Sequence, residues 1–423
     1  MHLIYNCGIR IYAACVKAAS PFHRKARLML AGQKDAKRLL KEKIEEDGSY
    51  IWFHAASLGE FEQGRPLIER LKAEFPQYKI LLTFFSPSGY EVRKNYPLAD
   101  VVCYLPFDTS GRVREFLRLA HPVMAIFIKY EFWYNYLREL RRLHIPVFSI
   151  SAIFRPEQWF FHWYGRPFLA ALRCFRHIFV QDEPSCALLK RFGFVHVSVA
   201  GDTRFDRVSA VSREARPLPL LEKFAAGQAS SPFVLVAGST WPLDEDLLIP
   251  YFNAHPEMKL VLAPHEFDES RLEKLLASMR RPAVRLSKAK EADMVGADCL
   301  VIDCFGLLSS VYRYGNLAYV GGGFGKGIHN ILEAAVYGIP VIFGPNYGKF
   351  KEARDLLACG GGFSVDKTDS FQACVDGFRT DAGRLSAAGR AAGDFVNEHT
   401  GATEHIMQAL PLKGAVLQTS SAN

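Results

Sequence analysis

Nowhere does the chain run for the roughly 18–20 uninterrupted apolar residues that span a bilayer. Its most apolar N-terminal stretch, residues 2–20, is broken by Arg10 and Lys17. No small-residue cleavage site follows a clean apolar core there, so a secretory signal is not expected. Disulfide chemistry is absent by pattern. The nine cysteines are odd in number and none has C-x-x-C spacing. Reduced, packed thiols of a cytoplasmic protein are the expectation. No His/Cys cluster has zinc spacing. A Gly-Lys-Ser/Thr phosphate loop is missing, and no glycine motif carries a ribose-binding acid about 20 residues later. The basic residues are scattered and no nucleic-acid recognition module appears.

What is present is a long folded chain. Its 423 residues suit two domains of about 200 residues each. Apolar residues make up 49%, which rules out a disordered chain. The net charge of +8 suits anionic ligands, whether sugar nucleotides, phospholipids or nucleic acid. After residue 48, short apolar runs alternate with amphipathic stretches. Strands are expected at Tyr50–His54, Lys79–Phe84, Asp100–Leu105, Pro122–Ile128, Ile145–Ile150, His177–Gln181 and His196–Ala200. A Ser- and Pro-containing stretch, 209–232, reads as a linker. A second series then runs through Phe233–Ala237, Lys259–Ala263, Ala283–Leu286, Cys299–Asp303, Asn316–Val320 and Pro340–Phe343. The fold class is therefore α/β, with two doubly wound Rossmann-like domains, and ligands at the C-terminal ends of the strands would face a central cleft. The expected boundaries are 26–208 and 233–411. Residues 1–25 form a separate segment, apolar and then basic (Arg24, Lys25), that reads either as an interfacial membrane anchor or as an ordinary packed helix. The polar tail 412–423 is expected to be disordered.

Several strand ends carry chemistry. Glycines follow the strand that ends at Val320, from Gly321 to Gly327, and a helix is expected to start near His329 or Asn330. Glycines permit close backbone approach, and a helix N-terminus offers free N–H groups, so this stretch reads as a phosphate seat. Glu333, one turn in, could bind a ribose diol. Ser239 or Thr240 is a natural cap for the helix that Pro242 opens. His265 could hold a base or phosphate, or cap a helix. In the first domain, Glu60 sits at a helix start, where the dipole would keep its carboxylate ionised and able to take a proton. Glu131 is a charge ringed by aromatics, so it is either paired or functional. Arg204 is placed for a phosphate or carboxylate, or for a surface ion pair. Residues 154–167 interleave aromatics with cations, which suits a membrane interface, stacked bases or a half-buried aromatic cluster.

Taken in order, the motifs His54-Ala-Ala-Ser-Leu-Gly-Glu60, Phe84-Phe-Ser-Pro-Ser-Gly89, Glu131-Phe-Trp133, Gly201-Asp-Thr-Arg-Phe-Asp206, Gly238-Ser-Thr-Trp241 and Gly327-Ile-His-Asn-Ile-Leu-Glu333 resemble the bacterial Kdo (3-deoxy-D-manno-octulosonic acid) transferases of lipopolysaccharide synthesis. The likeness runs from about residue 1 to about 400. It implies a GT-B glycosyltransferase with no cofactor and no catalytic metal. The implied reaction moves Kdo from CMP-Kdo, with inversion, to a hydroxyl of a lipid A precursor (lipid IVA), at the cytoplasmic face of the inner membrane and without nucleic acid. By this resemblance Glu60 is the catalytic base, and Glu131 and Arg204 steady the transition state. The implied CMP site comprises Ser239, Pro264, His265, Phe305, Gly306, Asn330, Ile331, Leu332 and Glu333. Departures from the family pattern fall mostly there: His265 stands where arginine is usual, and Ile331 and Ala334 where prolines are. A GT-B enzyme using another nucleotide sugar, a UDP-sugar transferase or an epimerase, is the alternative.

Overall fold

The computed structural model describes residues 2–227 and 232–412. The chain divides into two compact units. The first runs to Asp206 and resumes at Gly401; the second is Arg207–Thr400.

In the first unit, seven parallel strands form one sheet: β1 (Tyr50–Ala55), β2 (Lys79–Phe84), β3 (Val101–Tyr104), β4 (Met124–Ile128), β5 (Val147–Ala152), β6 (His177–Val180) and β7 (Val197–Val199), in the order β3-β2-β1-β4-β5-β6-β7. The order reverses between β1 and β4, which is where a doubly wound sheet leaves a crevice at its strand ends. β1 is buried along its whole length because helices cover both faces. Its residues alternate sides. Tyr50 and Trp52 pack with Leu40, Phe116 and Tyr136 on one face, while Ile51, Phe53 and Ala55 pack with Phe61, Leu67, Ile68 and Leu71 on the other. Each such large side chain, fully buried, contributes roughly 1.5–3 kcal/mol. The second face is built by helix α3 (Leu58–Glu74), which follows β1. A Cβ on Gly64 would lie 2.3 Å from Ile128 Cδ1, so glycine there lets α3 settle against β4.

Two helices precede the sheet, α1 (His2–Ala19) and α2 (Arg24–Lys43). Tyr5 of α1 is tied to a buried carboxylate, and Asn6 to the Asn135 side chain beside it. Tyr5 donates to Asp108 Oδ2 at 2.6 Å, and the N–H groups of Asn135 and Tyr136 donate to the same carboxylate at 2.9 and 3.0 Å. Asn135 Nδ2 donates to Asn6 Oδ1 at 3.0 Å. Asp108 thus caps the helix Tyr134–Arg142 from outside it and fixes α1 to the unit. The other side of α1 is bare: Leu3 and Ile4 are each 78% exposed, Ile11 64%, and Phe22 in the following turn 93%. No helix among the described residues is long and apolar enough to cross a membrane.

The second unit has a matching sheet: β8 (Phe233–Thr240), β9 (Met258–Pro264), β10 (Ala283–Arg285), β11 (Cys299–Val301), β12 (Leu317–Val320), β13 (Val341–Phe343) and β14 (Gly362–Ser364). All are parallel, in the order β10-β11-β9-β8-β12-β13-β14, with the reversal between β8 and β12. The expected strands are therefore present, and β14 is an addition at the sheet edge.

Three boundaries differ from the sequence expectation. The stretch 209–232 is largely helical: its first residues complete the helix Thr203–Glu214, and Pro219 opens the helix Pro219–Ala226, whose Leu221 and Phe224 are buried. Pro219 and its neighbours read as a linker because proline also favours the first helical turn. Residues 228–231 of that stretch lie outside the described residues. Next, the second unit ends at Thr400, not at 411. The helix Ala402–Ala409 packs on α3, with Ile406, Met407, Leu410 and Leu412 buried in the first unit's core. Asp206 secures it, accepting from Gly401 N and Thr403 N at 2.6 Å each and from Thr403 Oγ1 at 2.7 Å. Finally, Leu412 belongs to this core and not to the expected tail, the remainder of which, 413–423, lies outside the described residues.

Candidate active site

The C-terminal ends of β1 and β4 bring together residues 77 apart in sequence. His54, the fifth residue of β1, pairs across the sheet with Thr83 of β2 on one side and Phe127 of β4 on the other. It is fully buried. Its Nδ1 lies 2.9 Å from Thr83 Oγ1, and its Nε2 lies 3.0 Å from Glu131 Oε2. Trp133 Nε1 donates to the same Glu131 oxygen at 2.7 Å. Glu131, in the loop after β4, is therefore paired, with only 11% of its side chain exposed. Lys129 starts that loop at φ 65°, a left-handed conformation that a non-glycine residue adopts at a cost.

Glu60 occupies the third position of α3 and reaches back to the chain before it. Its Oε2 accepts from Ala56 N at 2.6 Å. The carboxylate thus satisfies an orphan N–H near the helix start, as a capping residue does. The expectation that the dipole keeps it ionised is overturned. Burial, reinforced by the negative charge of Glu131, pushes its pKa up to about 7. The N–H groups of Ala56 and Ser57 and the Lys129 ammonium offset only part of this. Desolvation wins because it acts on the whole carboxylate, whereas a helix end supplies only about half a charge. A carboxyl with a pKa near 7 is better matched to proton transfer at neutral pH than a fully acidic one.

Arg204 follows β7 and is held by Asp202. Its Nε and Nη2 donate to Asp202 Oδ2 at 2.9 and 2.7 Å, and its backbone N–H donates to Oδ1 at 3.0 Å. Gln63 of α3 adds a bond to Asp202 at 3.2 Å. Burial alone would raise the Asp202 carboxyl, but the guanidinium and these donors outweigh it and hold it below the usual carboxylate range. The ion pair is partly buried rather than a loose surface contact.

In the second unit the corresponding strand ends are β8 and β12. Ser239 has φ 53° at a bulge in β8, where the register to β9 shifts between Gly238 and Thr240. Neither Ser239 nor Thr240 caps the next helix: both are still strand, and Trp241 is the cap position. Asp244 does the bonding instead. It is fully buried, accepts from Trp241 N and Gly322 N at 2.9 Å each, and accepts from Tyr319 Oη at 2.6 Å. One carboxylate thereby joins β8's end, β12 and the glycine loop.

The glycine loop differs from the expected seat in two ways. Its helix is only Leu332–Ala335, starting later than His329 or Asn330, so its dipole is small. Several of its N–H groups are also spent inside the loop: Gly325 and Gly327 donate to Gly322 O, and His329 to Gly321 O. The glycines serve close packing first. A Cβ on Gly321 would lie 2.4 Å from Ser239 O, and one on Gly323 would lie 2.6 Å from the Gly344 backbone. Asn330 Nδ2 donates to Glu333 Oε1 at 3.0 Å, which fixes the carboxylate beside the loop. Ile331 and Leu332 have fully buried side chains, so they offer a ligand only backbone. Pro264 ends β9. The His265 ring next to it packs, tilted by about 30°, on His329 at 4.1 Å and on Trp241 at 4.9 Å. Trp241 Nε1 donates to His329 Nε2 at 3.0 Å. Burial, with His265 adjacent, pulls His329 down to about 4, and burial lowers His265 as well. The trio therefore offers flat neutral rings, not positive charge. Phe305 is 81% exposed and stacks on Phe267 at 4.9 Å; Gly306 beside it has φ 87°.

His54, Asp202 and Asp244 were not singled out as functional from the sequence. His54 lay inside a motif, but its partner depends on strand order, which spacing does not reveal.

Comparison with known proteins bears on these two strand-end clusters. A family model described as 3-deoxy-D-manno-octulosonic-acid transferase (kdotransferase) matches residues 24–207. A 3-deoxy-D-manno-octulosonic acid transferase of Chlamydophila psittaci is 27% identical over 341 residues, 78% of this chain and 77% of the relative. One of Aquifex aeolicus is 27% identical over 336 residues, 77% and 84% of the two chains. Among solved structures, UDP-GlcNAc 2-epimerase from Neisseria meningitidis superposes with a TM-score of 0.58 at 14% identity, over 85% of this chain and 98% of that one. MurG of Acinetobacter baumannii gives 0.54 at 11% identity, over 85% and 98%. At such low identity these structures show the fold, which is GT-B. The family model covers residues 24–207 and the relatives extend the likeness over most of the chain, so the chain is similar to the 3-deoxy-D-manno-octulosonic acid transferases.

Proposed function

We propose that the protein transfers Kdo from CMP-Kdo to a hydroxyl of a lipid A precursor, with inversion and without a catalytic metal. The observation that carries this reading is the pair of carboxylates at the β1 and β4 ends, one raised to about 7 and one paired with His54 and Trp133. Glu60 takes the proton of the acceptor hydroxyl as its oxygen bonds to the anomeric carbon. The bond from that carbon to the CMP phosphate breaks, and its electron pair leaves with CMP. Glu131 offers negative charge to the sugar centre as it becomes cationic. Arg204, oriented by Asp202, takes an anionic group of the donor.

The second unit supplies the nucleotide site. Ser239, Pro264, His265, Phe305 and Gly306 offer the base its ring faces and backbone, and the loop from Asn330 to Glu333 holds ribose and phosphate. The neutral rings of Trp241, His265 and His329 favour stacking over charge pairing.

A lipid acceptor brings the enzyme to a membrane. The bare side of α1 with Phe22, followed by Arg24, Lys25 and Arg27, suits an anionic leaflet. The reading places the protein on the cytoplasmic face of the inner membrane as a peripheral enzyme.

Incubation with CMP-Kdo and a lipid A precursor, followed by mass measurement, tests the activity. A product heavier by whole Kdo residues is expected, and its mass gives their number. No product with CMP-Kdo, or product with a UDP-sugar instead, would sink the reading. Sedimentation with anionic vesicles tests the surface: Leu3→Ser, Ile4→Ser and Phe22→Ser together should release the protein.

A further inference from the structure

The segment between β5 and the helix Leu169–Leu172 is rich in aromatic residues that the catalytic reading leaves unused. Most are structural. Phe154, Phe160, Phe161 and Phe168 are buried, and Phe154 stacks on Phe132 at 5.5 Å. The segment folds back on itself at Gly165, where a Cβ would lie 2.1 Å from Trp159 O. Trp159 departs from this pattern. It is 51% exposed, and its ring lies 4.9 Å from Phe168.

Trp159 forms one wall of a cavity of about 450 Å³, whose other walls include Tyr5, Tyr130, Trp133, Phe168 and the Glu131 carboxylate. The volume lies toward the small end of the roughly 300–1,000 Å³ typical of small-ligand sites. It has room for one or two sugar rings, not for a whole lipid. Its lining is mostly aromatic, with the acid Glu131 and the amide Gln158 as the polar residues besides the tyrosines. Glu131 Oε2 is committed to His54 and Trp133, while Oε1 has no hydrogen-bond partner among the described residues. A carboxylate repels nucleic acid and is costly against an acyl chain, which could not hydrogen-bond to it. A pyranose ring satisfies both features, with C–H groups for an aromatic face and hydroxyls for a carboxylate.

We propose that this cavity is the subsite for a pyranose ring of the acceptor, with Trp159 stacked on the ring and Glu131 accepting from one of its hydroxyls. The assignment rests on the acceptor being a glycolipid, as argued above. It makes Trp159 a determinant of acceptor binding that takes no part in donor binding.

Steady-state transfer with Trp159→Ala and Trp159→Phe tests it, using the lipid A precursor and its deacylated, water-soluble form. Trp159→Ala should raise the KM of both acceptors about tenfold and leave the CMP-Kdo KM and kcat within about twofold, and Trp159→Phe should restore most of the loss. An unchanged acceptor KM in Trp159→Ala overturns the subsite. So does a rise confined to the acylated acceptor, which would mark an acyl-chain or membrane contact. Calorimetry of the deacylated acceptor with the Glu60→Gln protein gives a readout free of turnover, and adding Trp159→Ala should weaken that binding about tenfold. If the wild-type protein transfers no Kdo, the functional reading fails and calorimetry still decides the subsite: binding that Trp159→Ala leaves unchanged, or no binding at all, overturns it.

Discussion

Replacing Glu60 by glutamine should cut transfer severely and, at alkaline pH, make the protein more stable. The two effects have one origin. In the unfolded chain this carboxyl titrates near 4.5; in the folded protein it titrates near 7. Below about pH 4.5 it is neutral in both states and contributes nothing to the difference. Between 4.5 and 7 the folded protein holds a proton that the unfolded chain has lost, so stability falls as pH rises. Above 7 the full cost of the buried charge is present. A displacement of about 2.5 pH units corresponds to roughly 3 kcal/mol. Glutamine is isosteric, carries no charge and still accepts from Ala56 N. At pH 8 the variant should therefore gain up to about 3 kcal/mol, which is several degrees in Tm for a unit of this size. At pH 5 the gain should shrink below about 1 kcal/mol. Loss of a general base should lower kcat by about 10²–10⁴. Kdo transfer and thermal unfolding at the two pH values are the assays. Turnover near the wild-type rate refutes the assignment of the base, and an equal change in Tm at pH 5 and pH 8 refutes the electrostatic account.

Glu131→Gln removes the like charge beside Glu60, so the acidic limb of the kcat/KM profile should move from near pH 7 toward lower pH; an unmoved limb would show that Glu131 does not act on Glu60. His54→Asn removes the contact to Glu131 Oε2 and should lower kcat by about 10–100-fold, by analogy with other orienting contacts, with the CMP-Kdo KM unchanged. A matched change in both parameters would speak for a general loss of structure instead. Tyr5→Phe deletes a bond to Asp108, whose pKa burial raises to about 6. Denaturant unfolding should show a loss of about 1.5–3 kcal/mol at pH 8, where the acceptor is charged, and a smaller loss at pH 5, where it is largely protonated. Equal losses at the two values would contradict this.

The strands were legible because parallel strands buried on both faces are continuous apolar runs, as in Lys79–Phe84 and Phe233–Ala237. β14 escaped notice because Gly362-Phe-Ser364 is three residues long and holds only one apolar side chain of size. Local composition also misled at Pro219, which starts a helix, and after Gly327, where the chain stays irregular until Leu332. In the site, Glu60 and Glu131 stood out as charges at strand ends. Their chemistry did not, because the protonation of Glu60 depends on burial, and the tie from His54 to Glu131 depends on β1 lying beside β4. Both are properties of the assembled sheet. Asp244 joins a strand, a helix and a loop, a role that depends on β8 lying beside β12 and that local sequence does not reveal.

The docking of Ala402–Ala409 on α3 sets an order for biosynthesis. The first unit's core is closed by Ile406, Met407, Leu410 and Leu412, and Asp206 waits for Gly401 and Thr403. Those residues leave the ribosome only after the whole second unit. At about 5–20 residues per second that delay is on the order of 10–40 s. Throughout it, the outer face of the helix that carries Glu60 lacks its cover. The newborn first half is thus an apolar-faced intermediate, and a chaperone has its longest opportunity there.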